Sequence, residues 1–253
     1  MGTSSSSRGS GTRSPLVPDW AQIDGAGPVA APGTQRFRSF RTSLGGFVAS
    51  GDGEKLRTAL GHFARTATGG RNVGPRRFGA MAQSGGALVA GLAELAGGRG
   101  GAQFFGVDLS QLAGTPTRSA IQEIVKALTP NNGDTEKIKA AMDIALSEAL
   151  EGIEVFDPAA ITEDVLVAVM IGYMSNCVFD MIMLESGDAF EKTADLTQLA
   201  AAEKQLHELV KTVIDEAMRP MFAAGVKTLT AQQMTQIQLK AVQEVWTIWE
   251  GHQ

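Results

Sequence analysis

Residues 36–77 carry Arg36, Arg38, Arg41, Lys55, Arg57, Arg65, Arg71, Arg76 and Arg77, opposed only by Asp52 and Glu54. Phenylalanines are interleaved with these arginines, as in Arg36-Phe37-Arg38-Ser39-Phe40-Arg41 and Arg76-Arg77-Phe78. Guanidinium groups beside aromatic rings suit two kinds of recognition. They contact nucleic-acid phosphates, and they anchor protein interfaces, where Arg and aromatics are enriched. The chain as a whole is acidic, with net charge −5, whereas nucleic-acid-binding domains tend to be basic overall. A protein partner is therefore the favoured reading, with Arg36, Phe37, Arg38, Phe40, Arg41, Arg76 and Arg77 as contacts. Nucleic-acid binding through Arg36–Arg77 is the alternative.

A second set of chemically capable groups lies at the start of the chain. Met1-Gly2 with Ser6 matches a myristoylation pattern, but a composition rich in Ala, Gly and Arg argues against that lipid. Removal of Met1 would expose the α-amine of Gly2, whose ordinary pKa of about 8 leaves a useful neutral, nucleophilic fraction near neutral pH. The island Pro15-Leu16-Val17-Pro18-Asp19-Trp20 has the form of an extended anchoring peptide, stiffened by its prolines. Leu16, Val17 and Trp20 are its candidate partner contacts, and packing of the tail on its own domain is the competing reading.

Other motifs do not survive inspection. Gly69-Gly70-Arg71-Asn72-Val73-Gly74 has neither a following Lys-Ser/Thr nor a preceding strand pattern, so turn chemistry explains its glycines better than phosphate binding. His207-Glu208 lacks a second His four residues after the first, which removes the helical zinc motif. Asp180, Glu185 and Asp215 share no motif spacing and read as helix-surface charges. Cys177, the single cysteine, reads as a buried packing residue. No catalytic constellation, metal site or cofactor site emerges, and the chain reads as a non-enzyme. An enzyme assembled from distant carboxylates is the remaining rival, and it would carry a bound metal or cofactor.

The elements that must position these groups are helical. Phe37, Phe40, Leu44 and Phe47 fit one face of a helix, and Glu54–Thr66 repeats that character. A third segment opens at Arg76 and ends at Gly97-Gly98. Thr115-Pro116 predicts an N-cap with Pro in the first turn, ahead of the stripe Ile121, Ile124, Val125 and Leu128. Asp134 is expected to cap a helix bearing Ile138, Met142 and Leu146. Further helices are predicted over 165–184 and 195–218. The last begins at a capping box, Thr230 with Gln233. No alternating strand pattern competes. The expectation is an all-α, multi-helix bundle behind a disordered Ser/Gly/Pro-rich tail over residues 1–34.

Charge divides the chain near residue 100. Residues 1–100 hold 12 Lys/Arg and 5 Asp/Glu, residues 101–253 hold 10 and 22, and glycine divides 21 to 9. A basic Gly-rich region (35–100) and an acidic bundle (101–253) are thus expected, either facing each other or facing different partners. The apolar run Val165–Leu184 contains Asn176 and Asp180, which predicts a buried helix and no membrane association. The Ser/Gly-rich start lacks an apolar signal segment, so a cytoplasmic location is expected.

Several longer stretches carry a family resemblance: MGTSSSS with SPLVPDW, then RFRSFRTSLGGFVASGD, ALGHFARTATGG and GPRRFGAMAQSGG, and later EALEGIEVFDPAAITEDVLVAVMIGYM and VWTIWEGHQ. Together they resemble the QatB family, a component of the bacterial Qat anti-phage defence system, over nearly the whole chain. The resemblance implies a non-enzymatic subunit beside an ATPase, a QueC-like enzyme (QatC-type) and a TatD-like nuclease. QueC enzymes use ATP to activate the carboxylate of a deazaguanine and capture it with ammonia. The resemblance therefore implies that a QueC-like partner could deliver such a carboxyl to the Gly2 amine.

Overall fold

The computed structural model describes residues 15–18, 21, 29, 31, 33–97, 103–104, 107–223 and 225–252. Its helices, in chain order, are α1 (Arg38–Ser50), α2 (Gly53–His62), α3 (Gly79–Ala96), α4 (Thr117–Leu128), α5 (Thr135–Ala149), α6 (Glu163–Glu185), α7 (Leu196–Met218) and α8 (Ala231–Glu250). Short helical turns occupy Phe63–Ala67, Gly74–Phe78 and Ala189–Lys192. The described residues are all-α apart from two dipeptide strands, β1 (Gln103–Phe104) and β2 (Val107–Asp108), paired antiparallel with Gln103 opposite Asp108. Two residues per strand are too few for an alternating pattern to register in the sequence.

The contacts divide the chain into two units, one built from Met1–Gly79, Val178–Val213 and Ala241–Gln253, the other from Ala80–Cys177 and Ile214–Lys240. Each unit therefore draws on both sides of the charge step at residue 100.

The first unit is organised around aromatic rings. Phe40 meets Phe63 at 5.0 Å between centroids, Phe63 meets Trp246 at 5.8 Å, and Trp246 meets Phe78 at 5.5 Å and Trp249 at 5.2 Å. The rings are tilted or edge-on, the arrangement their quadrupoles favour. The indole N–H of Trp246 donates to Thr68 Oγ1 at 2.8 Å, so its polar atom is satisfied inside the core. Gly74 makes that approach possible: a Cβ there would lie 2.2 Å from Trp246 Nε1. Gly69 and Gly70 do adopt left-handed turn conformations, with φ of 88° and 85°.

The second unit places polar side chains of α8 against the small residues of α3. Gln238, fully buried, donates through Nε2 to the carbonyl of Ala82 at 3.2 Å, and Tyr173 Oη donates to the carbonyl of Met81 at 2.8 Å. A Cβ on Gly85 would lie 2.3 Å from Gln238 Oε1 and 2.5 Å from the Tyr173 ring. The stripe Ile121, Ile124, Val125 and Leu128 is buried, as are Ile138, Met142 and Leu146 on α5. Cys177 is buried within α6. That helix is the one among the described residues long and apolar enough to cross a membrane, and 72% of its apolar window is buried inside the protein.

Local signals at helix ends fared unevenly. At α8 the capping box forms in full, with Thr230 Oγ1 accepting from Gln233 N at 3.2 Å and Gln233 Oε1 accepting from Thr230 N at 2.8 Å. Asp195 accepts from Thr197 N at 2.9 Å at the start of α7. Thr115 does not cap α4. Pro116 occupies the cap position in an extended conformation, and Thr115 spends its hydroxyl on the carbonyl of Leu112 at 2.7 Å. The chain is held there by bridging to 154–156, with Phe156 N donating to Thr115 O at 2.8 Å. Asp134 likewise makes no cap bond and instead lies 3.1 Å from Lys137 Nζ.

Candidate interaction site

Within the stretch expected to be disordered, residues 15–18, 21, 29, 31 and 33–34 are described, and Leu16, Val17 and Ala21 are buried. Ala21 N donates to Pro18 O at 3.0 Å, closing a tight turn. Leu16 packs where Gly69 leaves space, its Cδ1 lying 3.0 Å from the point a Cβ would occupy. The two apolar side chains offered by sequence as partner contacts are thus buried within the chain itself. Gly2 and Trp20 lie outside the described residues.

The arginine-rich stretch separates into two populations. Just before α1 the backbone turns at Gln35, whose φ is 56°, and Arg38 N donates to the Gln35 carbonyl at 2.9 Å. Arg38 faces solvent, while Arg41 and Arg76 are half-buried. Phe37 and Phe40 are core residues at 2% and 0% exposure, and Arg36 and Arg77 are buried at 3% and 4%. These four were read as partner contacts, and burial takes their side chains away from any surface. The helical stripe that includes Phe37 and Phe40 faces inward, where Phe40 joins the aromatic core through Phe63. The nucleic-acid alternative loses Arg36 and Arg77 by the same burial, since phosphate backbones are met at exposed cations.

The buried Arg77 and the half-buried Arg41 meet at Glu185, the last residue of α6. Arg77 Nη2 donates to Glu185 Oε1 at 3.1 Å, with both side chains removed from solvent. Arg41 Nε donates to the Glu185 main-chain carbonyl at 2.8 Å. That carbonyl belongs to a helix C-terminus, where backbone oxygens lack intrahelical partners and a cation is favoured by the helix dipole. Gly187, with φ of 60°, makes the room: a Cβ there would lie 2.9 Å from Arg41 Nε. The guanidinium carbons of Arg36 and Arg41 sit 4.7 Å and 5.1 Å from the centroid of the Phe37 ring, within cation–π range. Burial holds the Arg36 pKa below its ordinary value, the neighbouring Arg77 charge lowers it further, and Glu185 opposes both. Basic and acidic segments therefore meet at individual contacts inside this unit. Arg65 also donates to the Glu250 carbonyl at 2.8 Å, and Arg71 N donates to Glu250 Oε1 at 2.7 Å.

A search against protein families matches residues 42–249 to the family described as Qat anti-phage system associated protein QatB. The chain belongs to the QatB family. Searches of curated proteins and of solved structures return no match. Arg77 and Glu185 lie within the span shared with QatB, whereas Arg36, Arg38 and Arg41 precede it.

The remaining sequence candidates have structural partners. Asp215 forms a two-pronged pair with Arg219 at 2.8 and 3.1 Å. His207 packs edge-on against Phe179 at 4.9 Å. Glu185, read as a surface charge, is fully buried, because the arginines placed around it are themselves buried. Sequence reasoning missed this role. The one available signal was position: Glu185 closes the long, largely apolar run of α6. Among the described residues no group of three or more His, Cys, Asp or Glu side chains is arranged to hold a metal ion.

Proposed function

We propose that this chain is a non-enzymatic subunit of the Qat anti-phage system, bound by the system's QueC-like enzyme and modified by it at the α-amine of Gly2. Membership of the QatB family over residues 42–249 carries the reading. The leading segment supplies the chemistry. Once Met1 is removed, the Gly2 amine attacks the carboxyl carbon that the partner has activated as an adenylate. An amide bond forms, the carboxyl–phosphate bond breaks, AMP departs, and the amine gives up a proton. The exposed Arg38 and the half-buried Arg41 and Arg76 would contribute to the docking surface. The ATPase and the TatD-like nuclease are further candidate partners, and the assembly works in the cytoplasm.

Intact mass of the chain, co-expressed with its QueC-like partner and supplied with ATP and the deazaguanine acid, tests this directly. The expected product carries one acyl group on Gly2 and loses it when the partner is omitted. An unmodified N-terminus under those conditions overturns the proposal.

A further inference from the structure

Among the described residues, six buried guanidinium nitrogens find no hydrogen-bond partner: Nε, Nη1 and Nη2 of Arg36, Nε and Nη1 of Arg77, and Nη2 of Arg41. Native proteins rarely leave buried donors unsatisfied, and each such group calls for a specific cause, such as an ion or water. The penalty is steeper for charged donors than for neutral ones. Glu185 meets Arg77 through its carboxylate and Arg41 through its main-chain carbonyl, and its charge acts on Arg36. These four side chains together carry a surplus of two positive charges in a region with little solvent to screen it.

We propose that Arg36, Arg41 and Arg77 form a binding site for the phosphate group of a small molecule, either free phosphate or a nucleotide. The charge balance selects the ligand class. A phosphate monoester carries about −1.5 to −2 near neutral pH and presents three strong acceptor oxygens; the charge matches the surplus, and at about two lone-pair sites per oxygen it can serve the six open nitrogens. A carboxylate brings only one charge. Arginine forks also suit phosphate geometry better than point charges do. The depth of Arg36 and Arg77, at 3% and 4% exposure, favours a compact ligand over a polymer backbone. Arg41 is the more accessible member of the set and marks the side from which the ligand enters. The site stands on unit-internal geometry and is independent of any chemistry at Gly2.

The test titrates the full chain, purified without phosphate, with sodium phosphate, ADP and sodium acetate at matched ionic strength, reading thermal melting and calorimetric binding. Phosphate or ADP is expected to give saturable binding and a rise in Tm of roughly 5–10 °C at a hundredfold excess over Kd. ADP binding at least tenfold tighter than phosphate supports the site with a nucleotide as its source, and equal binding supports it with free phosphate. Arg36→Met is expected to weaken binding at least tenfold. Should that variant fail to fold, Arg36→Lys, which keeps the charge and loses the fork, is expected to do the same. Three outcomes overturn the proposal: no saturable response to either phosphate ligand, acetate binding as tightly as phosphate, or unchanged phosphate affinity in a folded Arg36 variant.

Discussion

Arg77 and Glu185, 108 positions apart in sequence, meet at 3.1 Å with their side chains 4% and 0% exposed. Removing one member of a buried pair leaves the other charge uncompensated and typically costs about 3–5 kcal/mol, whereas replacing both with apolar groups is far less disruptive. Glu185→Gln strips the carboxylate from both Arg36 and Arg77, while Arg77→Met leaves Glu185 in the field of Arg36. Urea unfolding followed by tryptophan fluorescence should rank Glu185→Gln as most destabilised, then Arg77→Met. The double variant Arg77→Met/Glu185→Leu should recover part of the loss. Losses under about 1 kcal/mol for each single variant would place the pair among ordinary surface bridges.

Gly74 is occupied by the indole of Trp246 on one side and by Thr68 Oγ1 on the other, the latter 2.7 Å from where a Cβ would sit. Gly74→Ala must therefore displace Trp246 or break its bond to Thr68. Overpacking of this kind costs about 1–3 kcal/mol, and the tryptophan emission should shift with it. Gly33→Ala is the control, because a Cβ there meets nothing within 4 Å, and it should stay within about 0.5 kcal/mol of the parent.

These two positions show which parts of the fold could be read from sequence. Helix faces such as Ile121, Ile124, Val125 and Leu128 announce themselves because burial repeats every three or four residues along one element. Thr230 and Gln233 announce a helix start because both partners lie within one turn. Gly74 gives no such notice, since its contact is a residue 172 positions away. Arg36 and Arg38 look alike in composition, yet one is buried and the other exposed. Their fates depend on where Glu185 arrives, and no local pattern encodes that. The charge excess of residues 36–77 was legible; its division into a buried cluster and a surface was not.

The capping box at α8 gives a local stability test. Thr230→Ala removes the acceptor for Gln233 N and should cost about 1 kcal/mol. Gln233→Ala removes only the return bond to Thr230 N and should cost less. Because α8 supplies both Gln238 and Trp246 to the cores, the loss should appear in the melting temperature as well as in helix content by circular dichroism.

His62 and His252 both titrate below the ordinary imidazole value of about 6.5, in each case chiefly because burial disfavours the charged ring. Arg65 adds to the effect at His62 and Arg57 at His252. The unfolded chain therefore binds protons at these residues more readily than the folded one, and stability must fall as pH drops. Their contribution is fully present above about pH 6.5 and is lost as the pH falls toward the lowered folded-state values. Melting temperatures measured from pH 7.5 to 5.5 should decline, and the double variant His62→Gln/His252→Gln should flatten that slope. An unchanged slope would show that neither ring is shielded.

Leu16 and Val17 are buried on the first unit, which bounds the reach of the Gly2 amine if the proposed acylation takes place. From Gly2 to Pro15 the chain spans at most about 3.5 Å per residue, so the amine can extend roughly 45 Å from its anchor. Deleting residues 4–13 would cut that reach to about 10–15 Å by the same geometry, without touching a buried side chain among the described residues. The shortened chain should melt like the parent and bind the QueC-like enzyme less well or not at all through Gly2, with acylation reduced at least tenfold by intact mass. Leu16→Asp acts in the opposite direction, releasing the anchor. It should lower the melting temperature while leaving Gly2 free to be acylated. Full acylation of the shortened chain would mean that the enzyme meets the amine beside the body and needs no extended leader.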